Sequence, residues 1–187
     1  MNAPSAKSSS VLVCVCGGIA AYKVCDVVSK LVQAGVAVEV AMTEAAQKFV
    51  GAVTFQALSA RPVITDMWSA TDTTDPQHIR LARHADAILV APATANAIGH
   101  LAQGLADDLV STLLLAADPK RVILAPAMNE AMWNHPAVQA NIATVQGFGV
   151  TLVGPGSGWQ ACRTVGVGRM SEPAEILTAV HARLGRQ

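Results

Sequence analysis

The sequence predicts a single α/β domain built on a doubly wound parallel sheet, and three observations carry that reading. From residue 11 onward, short apolar and β-branched runs alternate with amphipathic helical stretches. The first apolar run ends in Gly17-Gly18 and leads straight into one of the helices. No internal repeat or linker divides the 187 residues, and a hydrophobic content of 52% is enough for one full core.

Residues 1 to 10, rich in Ser, Ala and Asn, read as a frayed tail, which leaves 11 to 187 as the domain. Val11 to Cys16 carries only Val, Leu and Cys, the composition of a strand covered on both faces. Cys14 and Cys16 share one face of it, where a thiol packs as a small hydrophobe. Ile19 to Gln33 follows as a helix with Gly35 at its C-cap, then a second strand from Val36 to Ala41. Glu44 to Val50 and Phe55 to Ser59 read as short helices. Pro62 to Thr65 is a strand assigned to an edge, because proline cannot donate to a ladder. Ser69 to Gln77, with its Thr and Asp residues, is a loop.

His78 to His84 is helical, and Ala87 to Ala91 is the next strand. Helices over Asn96 to Ala102 and Leu109 to Ala116 lead to a strand from Arg121 to Ala125. Ala137 to Gln146 is a helix with Gly147 and Gly149 at its C-cap, and Val150 to Val153 is the last strand. Gly154 to Gly168 holds five glycines and one proline and reads as a long glycine-rich loop, a candidate mobile flap over a substrate. A helix from Pro173 to Leu184 closes the series. Right-handed crossovers between such units give a Rossmann-like (flavodoxin-like) sheet in three α/β/α layers, ordered 3-2-1-4-5-6. In that order the Gly17-Gly18 turn and the Pro92 to Asn96 loop flank one crevice at the carboxyl ends of the first and fourth strands, where ligands bind in open α/β sheets.

Composition narrows the ligand. Charged residues are 14% with a formal net charge of zero, so neither a nucleic-acid footprint nor a polybasic membrane patch is expected, and the ligand is small. No run approaches the roughly 18 to 20 apolar residues that span a bilayer, and Lys7 followed by Val11 to Cys16 is too short to act as a signal peptide. So few polar residues point to apolar contacts between subunits and a homo-oligomer. The four cysteines, at 14, 16, 25 and 162, form no CxxC pair, which points to a reducing cytoplasm and to no metal site.

Gly17-Gly18 lets backbone amides approach an anion at the start of a helix whose dipole favours phosphate. The dinucleotide pattern GxGxxG is missing, so with Thr43 the turn suits a mononucleotide such as FMN, although a tight turn alone also explains the glycines. In Pro92-Ala93-Thr94-Ala95-Asn96 the small side chains admit a flat ring, and Thr94 also reads as a helix N-cap. Pro126-Ala-Met-Asn-Glu-Ala-Met-Trp133 breaks a strand at its end. Its Asn129 is either a turn or cap residue, or an amide donor able to hold a carboxylate without adding positive charge. His78, at the head of a helix, is either a surface histidine or a base.

These segments together, with Ala161-Cys162 and Gly168-Arg169-Met170, resemble the homo-oligomeric flavin-containing cysteine decarboxylases over about Val11 to Pro173. The resemblance implies FMN held by Gly17, Gly18, Ile19, Thr43, Thr94, Ala95, Asn96, Ala97 and Ala127. It implies His78 as the base, Asn129 on the substrate carboxylate, Cys162 as the acid, and Met128, Ala161 and Arg163 as further substrate contacts. Arg163 is expected to help hold a phosphorylated substrate. Its substrate would be 4'-phospho-N-pantothenoylcysteine, decarboxylated to 4'-phosphopantetheine in coenzyme A synthesis by a homotrimer or a dodecamer of trimers with its flavin at a subunit boundary. Four departures stand out: Cys16 where many members have Ser, Thr94 for Ser, Ala97 for Thr, and Arg163-Thr164 where the family reads Gly followed by an acid.

Three rivals share the resemblance. A peptidyl-cysteine decarboxylase of lantibiotic maturation stops at the enethiol, and Cys162 argues against it. A flavin prenyltransferase is disfavoured by His78 and the Asn129 motif, and a non-enzymatic FMN-binding regulatory subunit would not need both His78 and Cys162. The ligase unit that follows the decarboxylase in many bacterial members is not expected within these residues.

Overall fold

The computed structural model describes residues 9–68 and 77–186. Its elements run β1 (Ser10–Val15), α1 (Ala21–Gln33), β2 (Ala37–Met42), α2 (Ala52–Ser59), β3 (Val63–Ile64), α3 (Gln77–His84), β4 (Ala87–Ala93) and α4 (Ala95–Gln103). They continue as α5 (Leu109–Ala116), β5 (Val122–Pro126), α6 (Glu130–Trp133), α7 (Pro136–Gly147), β6 (Thr151–Leu152), β7 (Gly156–Trp159), β8 (Val165–Arg169) and α8 (Pro173–Arg183). Six strands form one parallel sheet in the order β3-β2-β1-β4-β5-β6, as the crossover rule predicts.

The central strands β4 and β5, and β1 from Val11 on, are buried on both faces, which is why they read as near-continuous apolar runs, while β2 carries the half-buried Glu39. Leu12, Cys14, Ile88, Val90 and Leu124 face Leu81 of α3, Leu113 of α5 and Ile142 of α7. Val11, Val13, Val15, Leu89 and Ile123 face Val24 and Leu31 of α1, Phe55 of α2 and Ile176 of α8. α1 buries Val24, Val27, Val28 and Leu31, an i, i+3, i+4, i+7 stripe, and stops where Gly35 takes φ 73 and the Val36 N–H reaches back to Leu31 O at 3.0 Å. No helix among the described residues is long and apolar enough to cross a membrane.

Differences from expectation have local causes. β1 starts at Ser10, one residue early, because Ser10 N–H donates to Asp86 Oδ2 at 2.8 Å and its hydroxyl donates to His84 O at 2.8 Å. α1 starts at Ala21 and not Ile19, since residues 18 to 20 form a turn closed by Ala21 N–H to Gly18 O. The helix expected over Glu44 to Val50 is a single 3-10 turn, Ala46–Lys48. Gly147 is the last residue of α7, and Gly149 alone (φ 95) takes the left-handed position. Residues 1 to 8 of the expected tail and 69 to 76 of the expected loop lie outside the described residues.

The largest correction concerns Gly154 to Gly168. This stretch is not a structureless loop but the antiparallel hairpin of β7 and β8. β8 turns Val165 and Val167 outward and Gly166 and Gly168 inward, so its buried face carries no side chain and shows no apolar alternation.

Candidate active site

The carboxyl ends of β1, β4 and β5 open into a cleft of about 1030 Å³, at the top of the ~300 to 1,000 Å³ range of small-molecule sites. Its walls are the Gly17 to Ala20 turn, the loop from Thr43 to Ala45, the start of α4 from Thr94 to Ala97, and Ala127 to Asn129. Asp108, Val110 and Ser111 line it from α5 and its cap, and the hairpin covers it with Trp159 to Cys162 and Gly168 to Met170. Thirteen residues singled out from the sequence meet here: Gly17, Gly18, Ile19, Thr43, Thr94, Ala95, Asn96, Ala97, Ala127, Met128, Asn129, Ala161 and Cys162. His78 and Arg163 do not line it. His78 is half-buried at the head of α3, a helix that packs on α5, and the Arg163 side chain is exposed.

The glycine turn is set by close packing. A Cβ at Gly17 would stand 2.4 Å from Ala45 Cβ, so only glycine lets the β1 turn pass the loop after β2. A Cβ at Gly18 would meet Pro92 Cγ at an ordinary 3.5 Å but would fill the gap between the two loops. No side chain caps the first turn of α1 and it holds no acidic residue; Ala21 N–H donates to Gly18 O and Lys23 N–H to Ala20 O, so it is the helix dipole that faces an anion in the cleft. Lys23 and Lys48 lie on the same wall, paired with Glu172 at 3.0 Å and with Glu44 at 3.9 Å.

Three polar residues prove to be caps as well as wall residues. Thr43 Oγ1 accepts from Ala46 N–H at 3.1 Å, and Thr94 Oγ1 accepts from Ala97 N–H at 3.2 Å. Asn129 Oδ1 accepts from Met132 N–H at 2.8 Å and starts α6. The cap uses only the carbonyl oxygen of the Asn129 amide, so its NH2 keeps the donors a carboxylate needs. The bland and functional readings of Asn129 are therefore compatible, with the cap fixing the side chain that would bind.

The hairpin is locked to this turn by its glycines. Met128 N–H donates to Gly168 O at 2.9 Å, and a Cβ at Gly168 (φ 127) would come within 2.3 Å of Met128 O. A Cβ at Gly166 would stand 2.6 Å from the Glu130 carboxylate, whose Oε1 accepts from Val167 N–H at 3.2 Å. At the hairpin tip, Arg163 N–H donates to Gln160 O at 2.9 Å and Gln160 N–H to Thr164 O at 2.8 Å, which holds Cys162 exposed. Arg163 has φ 66, a left-handed conformation that costs a non-glycine residue ~1 to 2 kcal/mol. The glycine that the resemblance leads one to expect at this position would match the backbone without that cost.

Sequence reasoning missed Gln160, which is buried beneath the tip, and passed over His100, which lines the cleft with its Nδ1 3.0 Å from Asp107 Oδ1. No sequence signal marks Gln160, because a glutamine inside a glycine-rich stretch reads as an ordinary polar loop residue. The thiols divide sharply. Burial, with a smaller contribution from the Asp108 charge and against a hydrogen bond from the Thr94 backbone, pushes the Cys16 thiol up to about 12, and burial likewise raises Cys14. Both stay neutral at working pH, whereas Cys162 is exposed at the cleft. A thiol reagent at pH 8 is therefore expected to label Cys162 in the native protein and Cys14 and Cys16 only after unfolding, as peptide mapping would read.

A sequence profile described as Flavoprotein matches residues 2–185. The chain belongs to the flavoprotein family. Within that family it is 51% identical over 168 residues to the coenzyme A biosynthesis bifunctional protein CoaBC of Bacillus subtilis, a match covering 90% of this chain and 41% of that protein. The chain thus spans about two fifths of the length of that relative. Among solved structures, a cysteine-to-serine mutant of PPC decarboxylase complexed with pantothenoylaminoethenethiol superposes with a TM-score of 0.86 at 29% identity, covering 96% of this chain and 100% of that one. The FMN binding protein AtHal3 superposes with a TM-score of 0.83 at 28% identity, covering 97% and 99%.

Proposed function

We propose that this flavoprotein is an FMN-dependent decarboxylase that converts 4'-phospho-N-pantothenoylcysteine to 4'-phosphopantetheine and CO2 in cytoplasmic coenzyme A synthesis. One observation carries the proposal: the Asn129 amide and the Cys162 thiol line the same cleft as an uncapped helix start. FMN fits the residues present. Gly17, Gly18, Ile19 and Thr43 would hold its phosphate end, and the small residues Thr94, Ala95, Asn96, Ala97 and Ala127 would take its flat ring. When bound, FMN supplies a reversible hydride acceptor.

The substrate amine is acylated, so no Schiff base can draw electrons from the carbon that loses CO2. Oxidation of the neighbouring thiol-bearing carbon to a thioaldehyde provides the missing sink, and loss of CO2 then leaves an enethiolate. His78 takes the substrate's thiol proton. Asn129 donates its amide N–H groups to the carboxylate; a cation there would stabilise the anionic ground state and raise the barrier. Cys162 gives its S–H proton to the enethiolate carbon, and Met128 and Ala161 pack beside the substrate. A cysteine-to-serine mutant of PPC decarboxylase that superposes on this chain holds an enethiol, the kind of species expected after CO2 loss. Arg163, being exposed, would touch the substrate phosphate only at the cleft mouth.

His78 stands away from the cleft of its own chain, so this reading needs it to reach the cleft of a second copy. Ile19, Tyr22 and Met132 leave an exposed apolar rim on the cleft, 60%, 60% and 45% accessible, of the kind a subunit contact covers. The active species is thus a homo-oligomer, a homotrimer or a dodecamer of trimers. Sedimentation of the yellow protein is expected to give a multiple of three, and a stable, active, FMN-containing monomer would overturn the assembly. The substrate is tested by offering the FMN-loaded protein 4'-phospho-N-pantothenoylcysteine beside a peptide ending in cysteine. CO2 from the first supports the proposal; CO2 from the peptide alone makes the protein a peptidyl-cysteine decarboxylase, and none from either leaves the FMN-binding regulatory reading.

A further inference from the structure

We infer that Gln160 is the positioning residue that holds the Cys162 proton donor in register with the Asn129 turn, an inference that rests on the decarboxylase reading above. Gln160 is 7% exposed, and both the oxygen and the nitrogen of its amide are hydrogen-bonded. Its Oε1 accepts from Glu130 N–H at 3.2 Å and from the Cys162 thiol at 3.5 Å, while its Nε2 donates to Val167 O at 2.9 Å. Glu130 follows Asn129 directly, and Val167 precedes the Gly168 whose carbonyl accepts from Met128 N–H. One buried side chain therefore ties the hairpin tip, the second hairpin strand and the carboxylate-holding turn together. No backbone contact links Cys162 to Asn129 so directly.

The chemistry of the amide matters as much as its place. An amide oxygen accepts a hydrogen bond but does not take the proton, so Gln160 fixes the direction of the Cys162 S–H without removing its hydrogen. Thr164 Oγ1 lies 3.0 Å from the same sulfur. With the thiol hydrogen directed at Gln160, the Thr164 hydroxyl is the donor to sulfur and can stay there once the thiolate forms. In the step itself the S–H bond breaks, a C–H bond forms at the enethiolate carbon, and the sulfur keeps the electron pair and regains a proton from solvent. No electrons change hands between substrate and cysteine.

Gln160→Met in the FMN-loaded protein keeps side-chain length and removes all three hydrogen bonds. The first CO2 burst and KM are expected to stay near wild type. kcat should fall by about tenfold to a hundredfold, the cost of misplacing a reacting group by about 1 Å, with the flavin absorbance bleached during turnover. Gln160→Glu keeps both acceptor contacts and should fall between wild type and the Met variant in kcat. Labelling of Cys162 by iodoacetamide, which needs neither flavin nor substrate, should quicken in the Met variant by about three- to tenfold, the worth of one hydrogen bond. A burst and kcat that fall by the same factor, equal kcat in the two variants, or an unchanged labelling rate would each reduce Gln160 to a packing residue. Wild-type protein that releases no CO2 would instead overturn the underlying decarboxylase reading.

Discussion

Asparagine in place of His78 is expected to lower kcat by about 10² to 10⁴, the range lost when a general base is removed, while leaving the fold and bound flavin intact. That range corresponds to roughly 3 to 5 kcal/mol of transition-state stabilisation. The fold is expected to survive because His78 is half-buried at the first turn of α3, whose hold on the core comes from Leu81 and Ala82. Asparagine keeps polarity but cannot take a proton, so the substrate thiol stays protonated and its carbon is not oxidised. Flavin absorbance should then change little on adding substrate, with CO2 released only at the residual rate. Because His78 lies off the cleft of its own chain, co-expressing the His78→Asn and Cys162→Ser chains should restore part of the activity in mixed oligomers. Full activity in His78→Asn would remove the residue from the mechanism, and absence of rescue would argue that one copy supplies both groups.

Cys162→Ser is expected to separate the two halves of the reaction. A serine hydroxyl is a far weaker acid than a thiol of pKa about 8.5, so proton delivery to the enethiolate slows while oxidation and loss of CO2 continue. The variant should release CO2 for about one turn per site, bleach its flavin absorbance, and accumulate a product two hydrogens short of phosphopantetheine. The fold should be unaffected, since Cys162 sits exposed at a hairpin tip whose turn is closed by backbone bonds of Gln160. Normal turnover with oxidised flavin would make Cys162 an ordinary residue of the hairpin and reopen the peptidyl-cysteine and regulatory readings.

Much of this architecture can be read from the chain because a parallel sheet writes its burial into composition. β1 from Val11 on, β4 and β5 are buried at every position since both faces are covered, and the α1 stripe of Val24, Val27, Val28 and Leu31 shows its period. The cleft was legible for the same reason: strand order alone sets the Gly17 turn beside the Thr94 loop. What stayed hidden has no periodic signal. α6 is four residues long, and the buried face of β8 is glycine because the Met128 to Glu130 segment occupies the space a side chain would need. Gln160 looked like any polar loop residue until its burial was seen. The separation of His78 from the cleft depends on tertiary packing of α3 on α5, which no local pattern encodes.

A decarboxylation that returns its hydride leaves its mark in the mass of the product. FMN-loaded wild-type protein incubated with 4'-phospho-N-pantothenoylcysteine should yield CO2 and 4'-phosphopantetheine in equal amounts over many turnovers, with the flavin oxidised at the end. A product two hydrogens lighter accompanying each CO2, or substrate recovered unchanged from protein that holds FMN, would contradict it.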